Sequence, residues 1–166
     1  MKTLIRTLLM LSLIVWLGAE IFFPFVAAVT FSQLAPNTHA AGQIVGALLR
    51  ILHTMGSGAG IVALALLALS PAWGLYKAKA VLPAMVLLLL MIGLTSYSQH
   101  GIMPQMERDR VAAGGAIDLA PANNPARIDF NRLHERSTTV EEAILLMGIA
   151  VVAVVAHAET LAARPS

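Results

Sequence analysis

The chain has no cysteine and few charges: only 12% of its 166 residues are Asp, Glu, Lys or Arg. Without cysteine there is no disulfide, thiolate nucleophile or thiolate metal site, and the redox compartment stays open. So low a charged fraction sets the chain apart from a soluble globular domain, where about a quarter of residues are charged. A net charge of +2, with the positive residues scattered, excludes the electrostatic footprint of a nucleic-acid binder. Catalytic signatures are missing too. There is no Ser/His/Asp triad, Gly-rich phosphate loop or paired-carboxylate pattern, and Ser137 beside His134 is too sparse for nucleophilic catalysis. No internal repeat or low-complexity tract is present.

What the chain has in quantity is hydrocarbon. It is 58% hydrophobic, with a mean hydropathy of +0.78. Four apolar stretches, over residues 8–31, 51–70, 81–97 and 143–156, set the architecture. A membrane span needs about 20 apolar residues. With interfacial residues at their ends, the stretches give spans over 8–31, 43–70, 81–99 and 138–160. The expectation is an all-α, integral membrane four-helix bundle, one domain over residues 1–166. A long amphipathic extracytoplasmic loop, 100–137, precedes the last helix. Lys2 and Arg6 before the first run resemble a secretory signal, but the run continues past Trp16 without a small-residue cleavage pattern. An uncleaved first span is expected.

Orientation follows from Lys and Arg in the short segments. Lys2, Arg6, Lys77, Lys79 and Arg164 gather on one side. The opposite loop balances five arginines with Glu107, Asp109, Asp118, Asp129 and Glu135. Both termini are therefore expected in the cytoplasm, in the inner membrane of a bacterium.

Punctuation adds detail. Pro36-Asn37-Thr38 reads as a turn with an N-cap at Asn37 or Thr38. Pro104 can start a short helix that Gly114-Gly115 stops. Asn124-Pro125 reads as a cap followed by proline at the first helical position, opening one helix to Ala162 of roughly 55 Å. Gly42/Gly46 and Gly56/Gly60 are small-xxx-small pairs suited to close helix packing.

Polar groups inside apolar helices are the candidate functional residues, because each is costly there. Glu20 and Arg50 lie at matching heights, roughly 18–20 Å from the Pro36 turn along their helices, which predicts an ion pair. His53 follows Arg50 by one turn. On the last helix His134, Thr138, Glu141 and Leu145 fall within roughly 60° of one another, with Ser137 on the flank. His39, His53, His100 and His134 belong to the outer half, and His157 to the other end. In one reading, Glu20, Arg50, His53, His134, Ser137 and Glu141 satisfy each other and stitch the helices together. In another they surround a ligand. Imidazole suits haem and many metals, and His100 near Met103 and Met106 suits copper.

Several short motifs carry a family likeness. They are Trp16-Leu17-Gly18, His39-Ala40-Ala41-Gly42, Leu52-His53, Met103-Pro104-Gln105-Met106-Glu107 and, most specific, Phe130-Asn131-Arg132-Leu133-His134-Glu135-Arg136-Ser137. In these the chain resembles the transmembrane-protein-205-like family, whose bacterial members carry a domain of unknown function. The resemblance implies a four-helix membrane protein and supplies no reaction or catalytic residues. It departs after Gly18, where Ala19-Glu20 stands in place of a second glycine or other small residue.

Three functions remain. The first is a non-enzymatic small membrane subunit or scaffold, without cofactor, embedded in the lipid bilayer and packed in a larger membrane complex or homo-oligomer. The second is a haem-, chlorin- or copper-binding protein using His53, His100, His134, Met103 and Met106. The third is an oligomeric transporter element built on Glu20, Arg50 and Glu141.

Overall fold

Caps, prolines and glycines divide the chain into four helical rods, seen in a computed structural model that describes residues 1–163. Arg164, counted above for orientation, lies outside the described residues. The first rod is α1, Lys2–Gln33. After the Pro36 turn the side chain of Asn37 accepts the Ala40 N–H at 3.0 Å and opens α2, Thr38–Leu69. Gly74, at φ 61°, shapes the turn into α3, Ala78–Tyr97. Asn124 accepts the N–H groups of Ala126 at 2.9 Å and Arg127 at 3.3 Å, starting α5, Pro125–Ala162.

Within the expected loop after residue 99, the short helix from Pro104 and the long helix from Pro125 are both present, and the new feature is how the first of them joins α3. A π-helical turn, Ser98–Ile102, carries α3 without a break into α4, Met103–Ala112. Wider i→i+5 bonding, such as Met103 N–H to the Ser98 carbonyl, lets the helix pass Pro104, which has no N–H to give. Gly114 and Gly115 then stop α4 at φ 91° and 95°, values that favour glycine. The non-helical link to α5 is residues 113–124, holding one 3-10 turn, Ile117–Leu119.

Each rod buries one stripe. On α1 it is Ile5, Leu9, Leu13, Trp16 and Glu20, at the three- and four-residue steps of a helix face. On α5 it is Ser137, Ile144, Gly148, Val151, Val155 and Ala158. Around the bundle α1 packs on α2, α2 on α3, α3 on α5, and α5 on α1. This arrangement places α2 and α5 on a diagonal. The stripes meet in a core of Leu9, Leu13, Ala63, Leu67, Leu88, Ile144 and Val151.

The remaining faces are apolar and open, with Leu11, Phe22, Phe25, Ile61, Leu89, Leu90 and Ile149 all exposed. Between 22% and 33% of each rod's most apolar window is buried, so an internal core does not account for that hydropathy. Lipid does. The fold is all-helical among the described residues, with four helices long and apolar enough to cross a membrane.

Candidate functional site

Trp16 organises the junction of α1 and α2. A Cβ on Gly56 would stand 2.6 Å from the indole Nε1, and one on Gly60 would overlap the ring. Those two glycines are the slot into which the indole fits. Its N–H then donates to Glu20 Oε1, one turn along α1, at 3.1 Å.

One turn before the slot, His53 is fully buried and both ring nitrogens are engaged. Nδ1 meets Gln99 Oε1 at 3.0 Å and Nε2 meets Glu141 Oε1 at 3.0 Å. The Ser98 hydroxyl donates to the same Glu141 oxygen at 3.0 Å. Where Glu141 is ionised it only accepts, and Nε2 then carries a proton. The Gln99 amide decides the other nitrogen: with its oxygen towards the ring, His53 is an imidazolium paired with Glu141; flipped, the ring is neutral. The π turn supplies two of these groups, since it turns both Ser98 and Gln99 towards the interior. Glu141 Oε2 and Thr95 Oγ1 are buried without a hydrogen-bond partner.

Above this layer the α1–α2 hairpin parts from α4 and α5, leaving a cleft of about 960 Å³. Glu20 and Glu141 belong to its lining, and Phe23, Phe31 and Phe130 supply aromatic wall. The predicted α5 face, His134, Thr138, Glu141 and Leu145, lines it together with Ser137. Arg50, Gly42 and Gly46 line it from α2, and Met103 and Met106 from α4.

The expected Glu20–Arg50 pair does not form. Both residues reach the cleft, but the ion pairs among the described residues are Arg6–Glu159, His53–Glu141, Arg110–Glu107 and Arg132–Asp129. Glu20 sits on the buried stripe of α1, facing Trp16, while Arg50 is on an exposed face of α2. Counting residues matched their heights and not their directions around the helix axes.

The glycine pairs divide. Gly56 and Gly60 receive Trp16, whereas a Cβ on Gly42 or Gly46 would meet nothing within 4 Å. The second pair is not used for packing inside the chain.

The candidate ligand residues divide: His134, Met103 and Met106 line the cleft, whereas His53 and His100 do not. His53 is committed to Gln99 and Glu141. His100 is exposed in the π turn. His134 stacks on Phe130, with ring centroids 6.4 Å apart and planes at 8°. Among the described residues no three His, Asp or Glu side chains gather in a metal-binding arrangement. A haem, chlorin or copper ion would have to draw its ligands from separate helices and displace a partner of His53.

Residue types alone missed Ser98, Gln99 and the donor role of Trp16. A Trp four residues before Glu20, opposite a Gly-xxx-Gly, was the available signal for the last. A second cluster at the far end also went unread. Arg6 pairs with Glu159 at 3.1 Å, Tyr76 donates to Glu159, and Lys2 Nζ donates to the Gly74 carbonyl at 3.0 Å. Burial, and then the Glu159 carboxylate that accepts its hydrogen bond, push the Tyr76 phenol up to about 12.

Comparison with known proteins gives one match. No curated protein and no solved structure matches the chain. A family profile described as a domain of unknown function matches residues 11–113. The match takes in Trp16, Glu20, His53, Ser98 and Gln99 and stops before α5, so Phe130–Ser137 and Glu141 lie beyond it. Because it spans more than half of the sequence, the chain belongs to the family described as domain of unknown function DUF4149.

Proposed function

We propose that this is a multi-pass protein of a bacterial inner membrane, a single membrane domain with both termini in the cytoplasm, that works without chemistry of its own. It acts as a small subunit or scaffold that receives a partner protein, or a second copy of itself, in the cleft between the α1–α2 hairpin and α4–α5. The cytoplasmic placement draws on Lys2, Arg6, Lys77 and Lys79, with the contact from Lys2 to Gly74 bringing the N-terminus and the α2–α3 turn to one end. A finer kinship with the transmembrane-protein-205-like family is part of this reading, supported by Trp16-Leu17-Gly18 and Phe130–Ser137.

One observation carries the scaffold role: Gly42 and Gly46 open into the cleft with nothing within 4 Å of an added Cβ. Small residues one turn apart let a helix come close in lipid, and here the place beside them is empty. Gly46→Leu tests it. The variant should keep its own melting temperature and lose co-purification with its partner, or self-association. Unchanged association, with a protein that still folds, would reject the cleft as the contact.

The transporter reading keeps one support, since Glu20, Arg50 and Glu141 line the same cleft. Intramembrane charges around a cavity are where ion and solute paths are found. Flux through reconstituted vesicles that falls in Glu141→Gln would favour it over the scaffold.

A further inference from the structure

The end of the bundle opposite the cleft carries a separate groove of about 580 Å³, between the start of α3 and the last turns of α5. Lys77, Lys79 and His157 supply its polar groups, and Pro83, Val154 and Leu161 form its apolar wall. From Lys79 to Pro83 the wall descends roughly 6 Å along α3, the rise of four helical residues.

Charge at this end is unevenly committed. Arg6 is held by Glu159, and Lys2 by the Gly74 carbonyl. Lys77 and Lys79 take part in no ion pair among the described residues. On α5 beside the groove, Glu159 already serves Arg6 and Tyr76. Among the described residues no acidic side chain lines the groove. Two ammonium groups with no acidic partner among the described residues therefore stand over an apolar slot, at the depth where the chain would leave the hydrocarbon.

We infer that this groove seats an anionic phospholipid of the adjacent leaflet. The headgroup phosphate lies between Lys77 and Lys79 with His157 beside it, and the start of one acyl chain runs along Pro83 and Val154. Charge complementarity selects the occupant: a basic pocket between membrane helices recognises an acidic headgroup, and each lysine near the surface adds about 1 kcal/mol, so two give roughly a 30-fold preference before salt screening. A free phosphate would use the lysines and leave the apolar wall bare. The site rests on the reading that the helices cross a bilayer, and is independent of what occupies the cleft.

The test uses the full chain in mild detergent, titrated with phosphatidylglycerol and, separately, phosphatidylcholine. Retained lipid is read by native mass spectrometry and stability by thermal melting. Phosphatidylglycerol should bind at least about tenfold better and raise the melting temperature. The preference should vanish in Lys77→Gln/Lys79→Gln and persist in Lys77→Arg/Lys79→Arg, which also shows that the helix ends still fold. Arg132→Gln, at the other end of the molecule, should keep it. Equal binding of both lipids, or a preference that survives loss of both lysines, overturns the site. So does an equal stabilisation by inorganic phosphate, which would assign the lysines to a soluble anion. Failure of the membrane reading looks different: the protein would leave membranes in alkaline carbonate whatever the state of Lys77 and Lys79.

Discussion

His53 on α2 and Glu141 on α5 meet at 3.0 Å across the diagonal of the bundle, joining two helices that do not pack along each other. Each is flanked by a residue of the π turn, Gln99 on the imidazole and Ser98 on the carboxylate. Three helical rods thus converge on one histidine.

Removing either partner leaves the other buried and short of bonds. His53→Ala should destabilise the protein by about 3–5 kcal/mol, the usual cost of breaking a buried pair. His53→Gln, which can still donate to Glu141, should lose less. A double-mutant cycle with Glu141→Gln, read from melting in mild detergent, should give a coupling of about 0.5–3 kcal/mol. Additive losses would mean that the contact contributes nothing as a pair.

The Trp16 slot makes a sharper contrast. Gly60→Ala should cost about 1–3 kcal/mol, because the added methyl overlaps the indole. Gly58→Ala, two residues away with open space around it, should be close to neutral. In a Trp73→Phe background, where Trp16 is the remaining indole, Gly60→Ala should also shift its emission. Equal effects at positions 58 and 60 would contradict the slot.

Glu20 and Arg50 should behave as strangers. Glu20→Gln keeps an acceptor for the Trp16 N–H, and Arg50→Gln removes an exposed charge. Their stability changes should add within about 0.5 kcal/mol. A larger coupling would restore the ion pair that their heights suggested.

At the opposite end, Tyr76 predicts an alkaline dependence. Its phenol is held near 12 in the fold against an ordinary value of 10.0, so between those values the folded state keeps a proton that the unfolded chain releases. Stability is therefore full below pH 10 and falls as pH rises through about 12. Melting curves for the protein and for Tyr76→Phe across that window should differ in slope, the variant falling less. Parallel curves would mean that Tyr76 does not titrate as its surroundings imply.

The sequence revealed heights and ends far better than directions. Asn37 and Asn124 were legible as caps because a side-chain oxygen before a helix has one local task. The α5 face of His134, Thr138, Glu141 and Leu145 followed from helical periodicity. Glu20 and Arg50 failed because an ion pair depends on rotation about two axes, which packing of the whole bundle decides. Gln99 and Ser98 were hidden for a related reason: adjacent helical residues normally diverge, and the π turn that brings both inward is marked only by Gly101 and Pro104. Gly42/Gly46 and Gly56/Gly60 look alike as patterns. Only the position of Trp16 separates a filled slot from an open face.

Photocrosslinking in intact membranes decides whether the cleft beside Gly42 and Gly46 receives another helix. A photoreactive side chain at Val45, which lines the cleft, is compared with one at Ile61, on the exposed apolar face of the same helix. Position 45 should give a discrete protein adduct that disappears in Gly46→Leu, with position 61 reacting only with lipid. Lipid adducts alone from both positions, or the same protein adduct from both, would rule out a helix in the cleft.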